Sequence, residues 1–274
     1  MSNDLQLTIS GLNLRYPGCQ ENALNDLSVA SRGSRIGIIG PSHAGKSSLL
    51  ALLAGIVPQM IPAKVAGAVS LAGQDLTTWR KRHDLAMVQQ DPVSQLTGLA
   101  DTVYDELAFS LLNQGKSDAE IDQAVQLAAD QLDLTGLLAC SPNQLSGGQV
   151  QRVAIASALA AGPDLLLLDD ASSQMDPLGR EHFFSWLKKL PCPLLIVSGE
   201  VDDLAELCDQ IWVMKDGRLV MAAAPQQVFN ALNDPAFDKP VAWKMARKLG
   251  LELGGRWPVT ANELKKAAIN ANRN

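Results

Sequence analysis

Nine consecutive residues, Gly40-Pro41-Ser42-His43-Ala44-Gly45-Lys46-Ser47-Ser48, restrict what this chain can fold into more than any other stretch. They fit the pattern G-x-x-x-x-G-K-[ST]. A short apolar run, Arg35–Ile39, precedes them and a leucine-rich stretch of helical composition, residues 48–54, follows. Strand, loop and helix in that order aim successive backbone N–H groups, and the positive end of the helix dipole, at one point that suits a polyphosphate. In such a loop Lys46 reaches the terminal phosphates and the Ser47 hydroxyl ligates magnesium. The competing reading is a glycine turn with a structural role alone; both flanks favour the nucleotide.

Composition narrows the setting. A formal charge of −6 gives no support to a nucleic-acid surface, which more often needs a basic face. No apolar run is long enough to span a bilayer, and Met1-Ser2-Asn3-Asp4 does not begin a signal-peptide pattern. Cys19, Cys140, Cys192 and Cys208 lack C-x-x-C spacing, so reduced thiols are expected rather than disulfides or a zinc site. The expectation is a cytoplasmic protein able to dock on a membrane partner.

Along the chain, alternating runs at residues 5–10 and 11–16 read as strands, with a turn at Pro17-Gly18 and a further strand at 23–29. Residues 31–34 read as a turn into Arg35–Ile39. Tyr16, a lone aromatic before its turn, reads from pattern alone as a half-buried strand tyrosine. Strands are expected at 67–71 and 85–88, and helices at 100–113 and 118–132. Leu145-Ser146-Gly147-Gly148-Gln149 opens a helix over 150–160, and two glycines at a helix N-terminus form a second anion site.

Four leucines, 165–168, then run into Asp169-Asp170. An unbroken apolar strand ending in carboxylates is a buried parallel strand whose C-terminal end faces a ligand. One carboxylate there can serve a magnesium ion and its neighbour can orient the attacking water. The alternative is that Asp170 only caps a helix. Beyond it come a loop at 172–177, a helix at 178–190, a strand at 194–197, a helix at 202–208 and a hairpin across Lys215-Asp216-Gly217-Arg218. Strands alternating with helices indicate a doubly wound parallel sheet. From Pro225 onward the chain is broken by prolines, with two short helices expected at 241–249 and 262–271.

Phosphate loop, LSGGQ and acid-tipped strand, in this order, resemble the ATP-binding cassette (ABC) family of ATPases, and the resemblance extends to about Ala224. It implies an α/β fold: a mainly parallel core sheet with an N-terminal antiparallel part, a helical subdomain and a short helical C-terminal extension. The expected division is 1–224 for the nucleotide-binding domain, with its core at 1–90 and 163–224 and helical subdomain at 91–162. Residues 225–274 form the extension, expected to be a dimer contact, with a C-terminal cap on the core as the alternative. The resemblance also implies that each ATP lies between the phosphate loop of one subunit and the signature motif of the other. It moves Tyr16 to the position that stacks on adenine. Gln90 takes the place of the glutamine that senses magnesium and couples to a transmembrane partner, and Asp169 that of the magnesium aspartate. Ser47, Gln90 and Asp169 are thus the expected metal ligands. Asp176 matches the loop aspartate that crosses the dimer interface. Ser146, Gly147, Gly148 and Gln149 are expected to act on a neighbour's ATP.

A narrower resemblance links Gln90-Asp91-Pro92-Val93-Ser94-Gln95, Thr102-Val103-Tyr104-Asp105-Glu106-Leu107-Ala108-Phe109 and Lys239-Pro240 to the ATPases of energy-coupling factor importers. These bring vitamins or transition-metal ions into cells, using two cassette ATPases, a transmembrane coupling protein and a substrate-binding membrane protein. The resemblance therefore places the chain peripherally on the cytoplasmic face of the membrane. Another importer or exporter, or a non-transport or regulatory cassette ATPase, is the alternative.

Three residues depart from the family pattern. Asp170 stands where a glutamate normally polarises water. Gly199 stands where a histidine normally contacts the γ-phosphate. His43 stands where the loop normally has glycine, at a cost of about 1 kcal/mol if the backbone there is left-handed. All three fall on the phosphate-loop side while LSGGQ is intact. The expectation is a heterodimer, with a homodimer as the alternative, in which this chain's own site binds ATP and hydrolyses it poorly.

Overall fold

The computed structural model describes residues 5–271; residues 1–4 and 272–274, including the N-terminus read above, lie outside the described residues. The chain divides into two compact units, one of residues 1–79 with 195–274 and the other of residues 80–194.

The first unit opens with β1 (Leu5–Arg15) and β2 (Leu24–Gly33), followed by β3 (Arg35–Ile39), α1 (Lys46–Ala54), a single turn α2 (Ile56–Gln59), β4 (Lys64–Leu71), β5 (Gln74–Asp75) and α3 (Leu76–Arg80). β1 lies between β2 and β4 in an antiparallel sheet of order β2-β1-β4-β5. Leu7, Ile9, Leu12 and Leu14 put its alternate residues into the core. The two strand-like runs expected at 5–10 and 11–16 are one strand. A register shift between Ile9 and Leu12, with Gly11 at φ 56°, lets it continue past the glycine as a bulge.

Residues 31–34 are not the turn expected from their composition. β2 stays paired to β1 as far as Gly33, opposite Leu5, and Ser31 is buried with its hydroxyl donating to Gln210 Oε1. The reversal is confined to Ser34, where the Asp209 carboxylate accepts from the Ser34 and Arg35 amides at 2.8 and 2.9 Å. Tertiary partners, not local propensity, fix that corner.

The second unit contains β6 (Leu85–Val88), α4 (Val103–Asn113), α5 (Asp118–Gln131), α6 (Gly147–Ala160), β7 (Leu165–Asp169) and α7 (Pro177–Leu187). β6 and β7 pair in parallel, Leu85 opposite Leu165 through Val88 opposite Leu168, and every residue of β7 is buried. α4 starts three residues later than expected, because Thr102 and Asp105 close a capping box that fixes its first turn. α5 has the same device in Ser117 and Glu120.

β8 (Leu194–Val197) returns the chain to the first unit, where α8 (Val201–Leu207), β9 (Gln210–Lys215) and β10 (Arg218–Ala223) follow. The strand order there is β10-β9-β3-β8, with β3 and β9 parallel and the β9–β10 hairpin antiparallel. Cys208 sits below β3 against Gly37, and burial pushes its thiol well above the ordinary cysteine range. All four cysteines are free.

The tail holds three helices rather than two: α9 (Pro225–Ala231), α10 (Val241–Leu249) and α11 (Ala261–Ala271). Pro225 reads as a breaker but sits at the first helical position, where its missing N–H costs nothing. The Lys239 ammonium donates to the Phe229 and Leu232 carbonyls at the end of α9 and lies 4.9 Å from the Trp243 ring. Burial and the Arg247 charge lower the pKa of that lysine. No helix among the described residues is long and apolar enough to cross a membrane.

Candidate functional site

In the first unit the expected phosphate loop leaves β3 at Gly40 and enters α1 at Lys46. Gly40 is required by packing: a Cβ there would stand 2.3 Å from the Met214 carbonyl oxygen of β9. Gly45, the residue before α1, has φ 92° and lies against the Ala23 carbonyl; no side chain caps the helix. Gly45 brings no side chain to the first turn of α1, a helix start of the kind at which an anion can bind. The Lys46 ammonium folds over the loop and donates to the carbonyls of Gly40 and Pro41 at 2.7 and 2.8 Å. Ala44 is buried and tied to the hairpin through its carbonyl, which accepts from Gly217 N; Ser42, His43 and Ser47 are exposed.

Tyr16 is half-buried at the end of β1, and its hydroxyl donates to Ser48 Oγ at 3.2 Å. Tyr16, His43, Gly45, Lys46, Ser47 and Ser48 line one cavity of about 690 Å³, within the size range of small-molecule sites. Residues 20–22 also line it, and no motif pointed to them; their only signal is position, between the aromatic and the loop. A phosphate-bearing nucleotide fits this set: a helix start whose N-cap is glycine, a lysine ammonium and an aromatic residue lie on the same cavity.

The departures have a physical character of their own. His43 has φ 64°, so the left-handed backbone that favours glycine is present with a histidine in it. Gly199, also in the first unit, is exposed; a Cβ added there would meet nothing within 4 Å, and its φ lies outside the left-handed region. The fold therefore does not demand glycine at that position.

In the second unit Asp169 ends β7, buried at 7% exposure, and Asp170 follows with φ 52°. The short side chain of aspartate tolerates that backbone better than glutamate does. Gln90 Nε2 lies 3.4 Å from Asp170 Oδ2, so the expected magnesium sensor and the expected base meet here. Asp176 caps α7, its Oδ1 accepting from Gly179 N at 2.6 Å.

Ser146 caps α6 in a closed capping box. Gln149 Oε1 accepts from Ser146 N at 2.8 Å, and Ser146 Oγ accepts from Gln149 N at 3.4 Å. Gly147 and Gly148 form the first turn beside Gln174, whose Oε1 would be 3.0 Å from a Cβ on Gly147. Sequence reading passed over Gln174, and its place between Asp170 and Asp176 was the available signal. His182 is exposed, and His83 pairs with Asp164 at 3.2 Å; neither joins the expected site residues.

Magnesium fits these residues only as a shared ligand. Among the described residues no group of three His, Cys, Asp or Glu side chains could hold a metal unaided. The Gln90 amide oxygen and Asp169 carboxylate of the second unit and, separately, the Ser47 hydroxyl of the first are hard oxygen donors, of the kind that suit an ion keeping waters and phosphate oxygens.

Residues 24–173 match the model of the ABC transporter family. The chain is 34% identical over 255 residues to the energy-coupling factor transporter ATP-binding protein EcfA1 of Geobacillus kaustophilus, covering 89% of this chain and 88% of that one. The EcfA1 of Latilactobacillus sakei is 33% identical over 270 residues, covering 94% and 93%. Among solved structures, cbiO1 of Clostridium perfringens, part of the ABC transporter complex cbiONQ, superposes with a TM-score of 0.72 at 27% identity, covering 91% of this chain and 96% of that one. With its phosphate loop, LSGGQ helix start and acid-tipped strand, the chain belongs to the ABC transporter family of ATP hydrolases, in the branch of the energy-coupling factor ATP-binding subunits.

Proposed function

We propose that this chain is the partly degenerate ATPase of a heterodimer that drives import of a micronutrient, a vitamin or a transition-metal ion. The observation that carries the nucleotide reading is the single cavity shared by Tyr16, Lys46 and the glycine-capped start of α1. In this reading Tyr16 stacks on the adenine. Lys46 releases the Gly40 and Pro41 carbonyls for the phosphates, which its charge prefers. The amides of residues 45–48 take the remaining phosphate oxygens. Ser47, Gln90 and Asp169 would hold magnesium, which when bound neutralises phosphate charge and orients the triphosphate. Asp170 orients the attacking water, less well than a glutamate because its carboxylate is one methylene shorter; a misplacement of about 1 Å costs on the order of a hundredfold.

Ser146, Gly147 and Gly148 act in trans on the ATP held by the partner ATPase, and Asp176 reaches across the same interface. Val241, Met245 and Leu249, spaced by four on α10 and exposed, support the extension 225–274 as a dimer contact. The membrane partners are a transmembrane coupling protein and a substrate-binding protein, with the chain on the cytoplasmic face; no nucleic acid is involved. The names of the relatives support this assembly, and the unforced glycine at 199 supports the weak site.

The test compares ATP turnover by the purified chain alone and together with a second cassette ATPase that co-purifies with it. The expected outcome is slow turnover alone and brisk turnover together. Brisk turnover by the chain alone overturns the degenerate-half reading. A homodimer whose activity matches the assembled complex points instead to a symmetric ATPase.

A further inference from the structure

We infer that His43 is a phosphate-contacting residue that lets this chain distinguish nucleoside triphosphate from diphosphate: its imidazole donates to the terminal phosphate of the nucleotide in its own loop. The inference rests on the reading that this loop holds a nucleotide, and adds a role that the departure from glycine alone does not assign.

Three observations converge. The backbone at His43 is left-handed, φ 64°, a conformation that costs about 1 kcal/mol with a side chain and that glycine would adopt without strain. Packing does not recover this cost, because the residue is exposed. Strain kept without packing in return is the pattern of a functional position. Second, His43 lines the 690 Å³ cavity together with Lys46 and Ser47, and also a neighbouring one of about 770 Å³ bounded by Arg15, Asn25 and Asp216. It stands at the rim common to both. Third, glycine stands at 199, where the family resemblance places a phosphate-contacting histidine and where nothing in the backbone or the surroundings calls for glycine. A loop histidine supplies an N–H donor of the same chemistry from the opposite end of the chain.

The titratable groups that line the two cavities with His43 are Arg15 at the end of β1, Tyr16, Cys19 and Glu21 of the following loop, Lys46 of α1 and Asp216 of the β9–β10 hairpin. The two cations and two carboxylates offset one another. The dominant change on binding is then the arriving phosphate charge, which favours the imidazolium. A phosphate is held more strongly by a cationic donor than by a neutral one, so the triphosphate preference is expected to be greater at pH 6 than at pH 8.

The experiment is equilibrium titration of the purified chain with a non-hydrolysable ATP analogue and with ADP, at pH 6 and pH 8. It is run on the wild type, His43→Asn and His43→Gly. Asparagine accepts the left-handed backbone without titrating, and glycine relieves the strain. The nucleotide's own terminal phosphate titrates in this range, so the readout is the difference between wild type and variants at each pH. The wild type is expected to prefer triphosphate over diphosphate about tenfold more at pH 6 than either variant does, with the difference shrinking to about twofold at pH 8. Equal preference in wild type and variants overturns the inference, as does a loss that is the same for both nucleotides. If the wild type binds neither nucleotide, the nucleotide reading itself fails. Binding that Lys46→Ala abolishes, with no contribution from His43, leaves that reading standing and removes only this one.

Discussion

α1 begins at Gly45 with no side chain bonded to its first amides, whereas α6 begins at Ser146 with a closed capping box. Both starts carry glycines, and the glycines differ as well. In the phosphate loop they are imposed from within: Gly40 abuts the Met214 carbonyl and Gly45 the Ala23 carbonyl. In the signature turn they are not. A Cβ on Gly148 would sit at an ordinary 3.5 Å from Gln174, and one on Gly147 would press only on the end of the Gln174 side chain. Glycine that the chain's own packing does not need, at the first turn of a helix where alanine would be more stable, points to an approach from outside. The glycines of the phosphate loop are fixed by the chain's own packing, whereas the signature turn is closed by its own cap and, in the proposed function, is approached by the partner's nucleotide.

The largest effect that would break this contrast is at Lys46. Lys46→Ala removes the lysine of the loop, and nucleotide affinity is expected to fall on the order of a hundredfold or more, within the 2–5 kcal/mol typical of truncating one partner of a hydrogen-bonded charge pair. Fluorescent-nucleotide titration measures it. Retained affinity would mean that the amides of α1 suffice, or that the nucleotide lies elsewhere.

The glycine contrast gives the next prediction. Gly40→Ala forces the β9 backbone to move and is expected to destabilise the chain by about 1–3 kcal/mol. Gly148→Ala is expected to be neutral or to stabilise by about 0.5 kcal/mol, while slowing turnover by the assembled ATPase pair. Thermal melts and turnover measured on the same preparations check both arms. Equal destabilisation by the two changes would remove the distinction between imposed and offered glycines.

Much of this contrast could be read before the fold was known. β3, β6, β8 and α10 fall at the boundaries their apolar runs suggested, because short buried strands and a proline-started helix are bounded by local chemistry. Residues 31–34 could not be read that way: their turn composition was overridden by pairing with β1 and by the Asp209 carboxylate. α9 was hidden because proline at a first helical position looks like a breaker in sequence. At the site, the motif residues were legible because their chemistry requires fixed spacing. Gln174 and residues 20–22 were not, since only folding brings them beside Gly147 and the loop. The left-handed backbone at His43 and the open space at Gly199 were likewise invisible, although both decide what the departures mean.

The departures supply a test of smaller size. A Cβ at Gly199 meets nothing within 4 Å, so the backbone admits Gly199→His, and Asp170→Glu lengthens the carboxylate at the cost of about 1 kcal/mol for a left-handed glutamate. The double variant is expected to raise turnover by the chain about tenfold, the return of a catalytic group to reach outweighing the backbone cost. Steady-state phosphate release measures it. No gain would mean that the weak site is limited by something other than these two side chains.

The smallest effect belongs to the capping box. Ser146→Ala removes the oxygen that accepts from Gln149 N, and loss of such a cap costs about 1 kcal/mol. The 3.4 Å length of that bond places the expected loss at or below this figure, a fall of a few degrees in the melting temperature. The chain's own nucleotide affinity should not change, because in the proposed function Ser146 acts on the ATP held by the partner. Turnover with the partner should fall by more than the lost stability explains, since the hydroxyl would also be missing from the partner's ATP. A variant that melts earlier yet leaves turnover of the pair intact would assign Ser146 to the helix alone, and leave the backbone amides of Gly147 and Gly148 as what the signature turn offers.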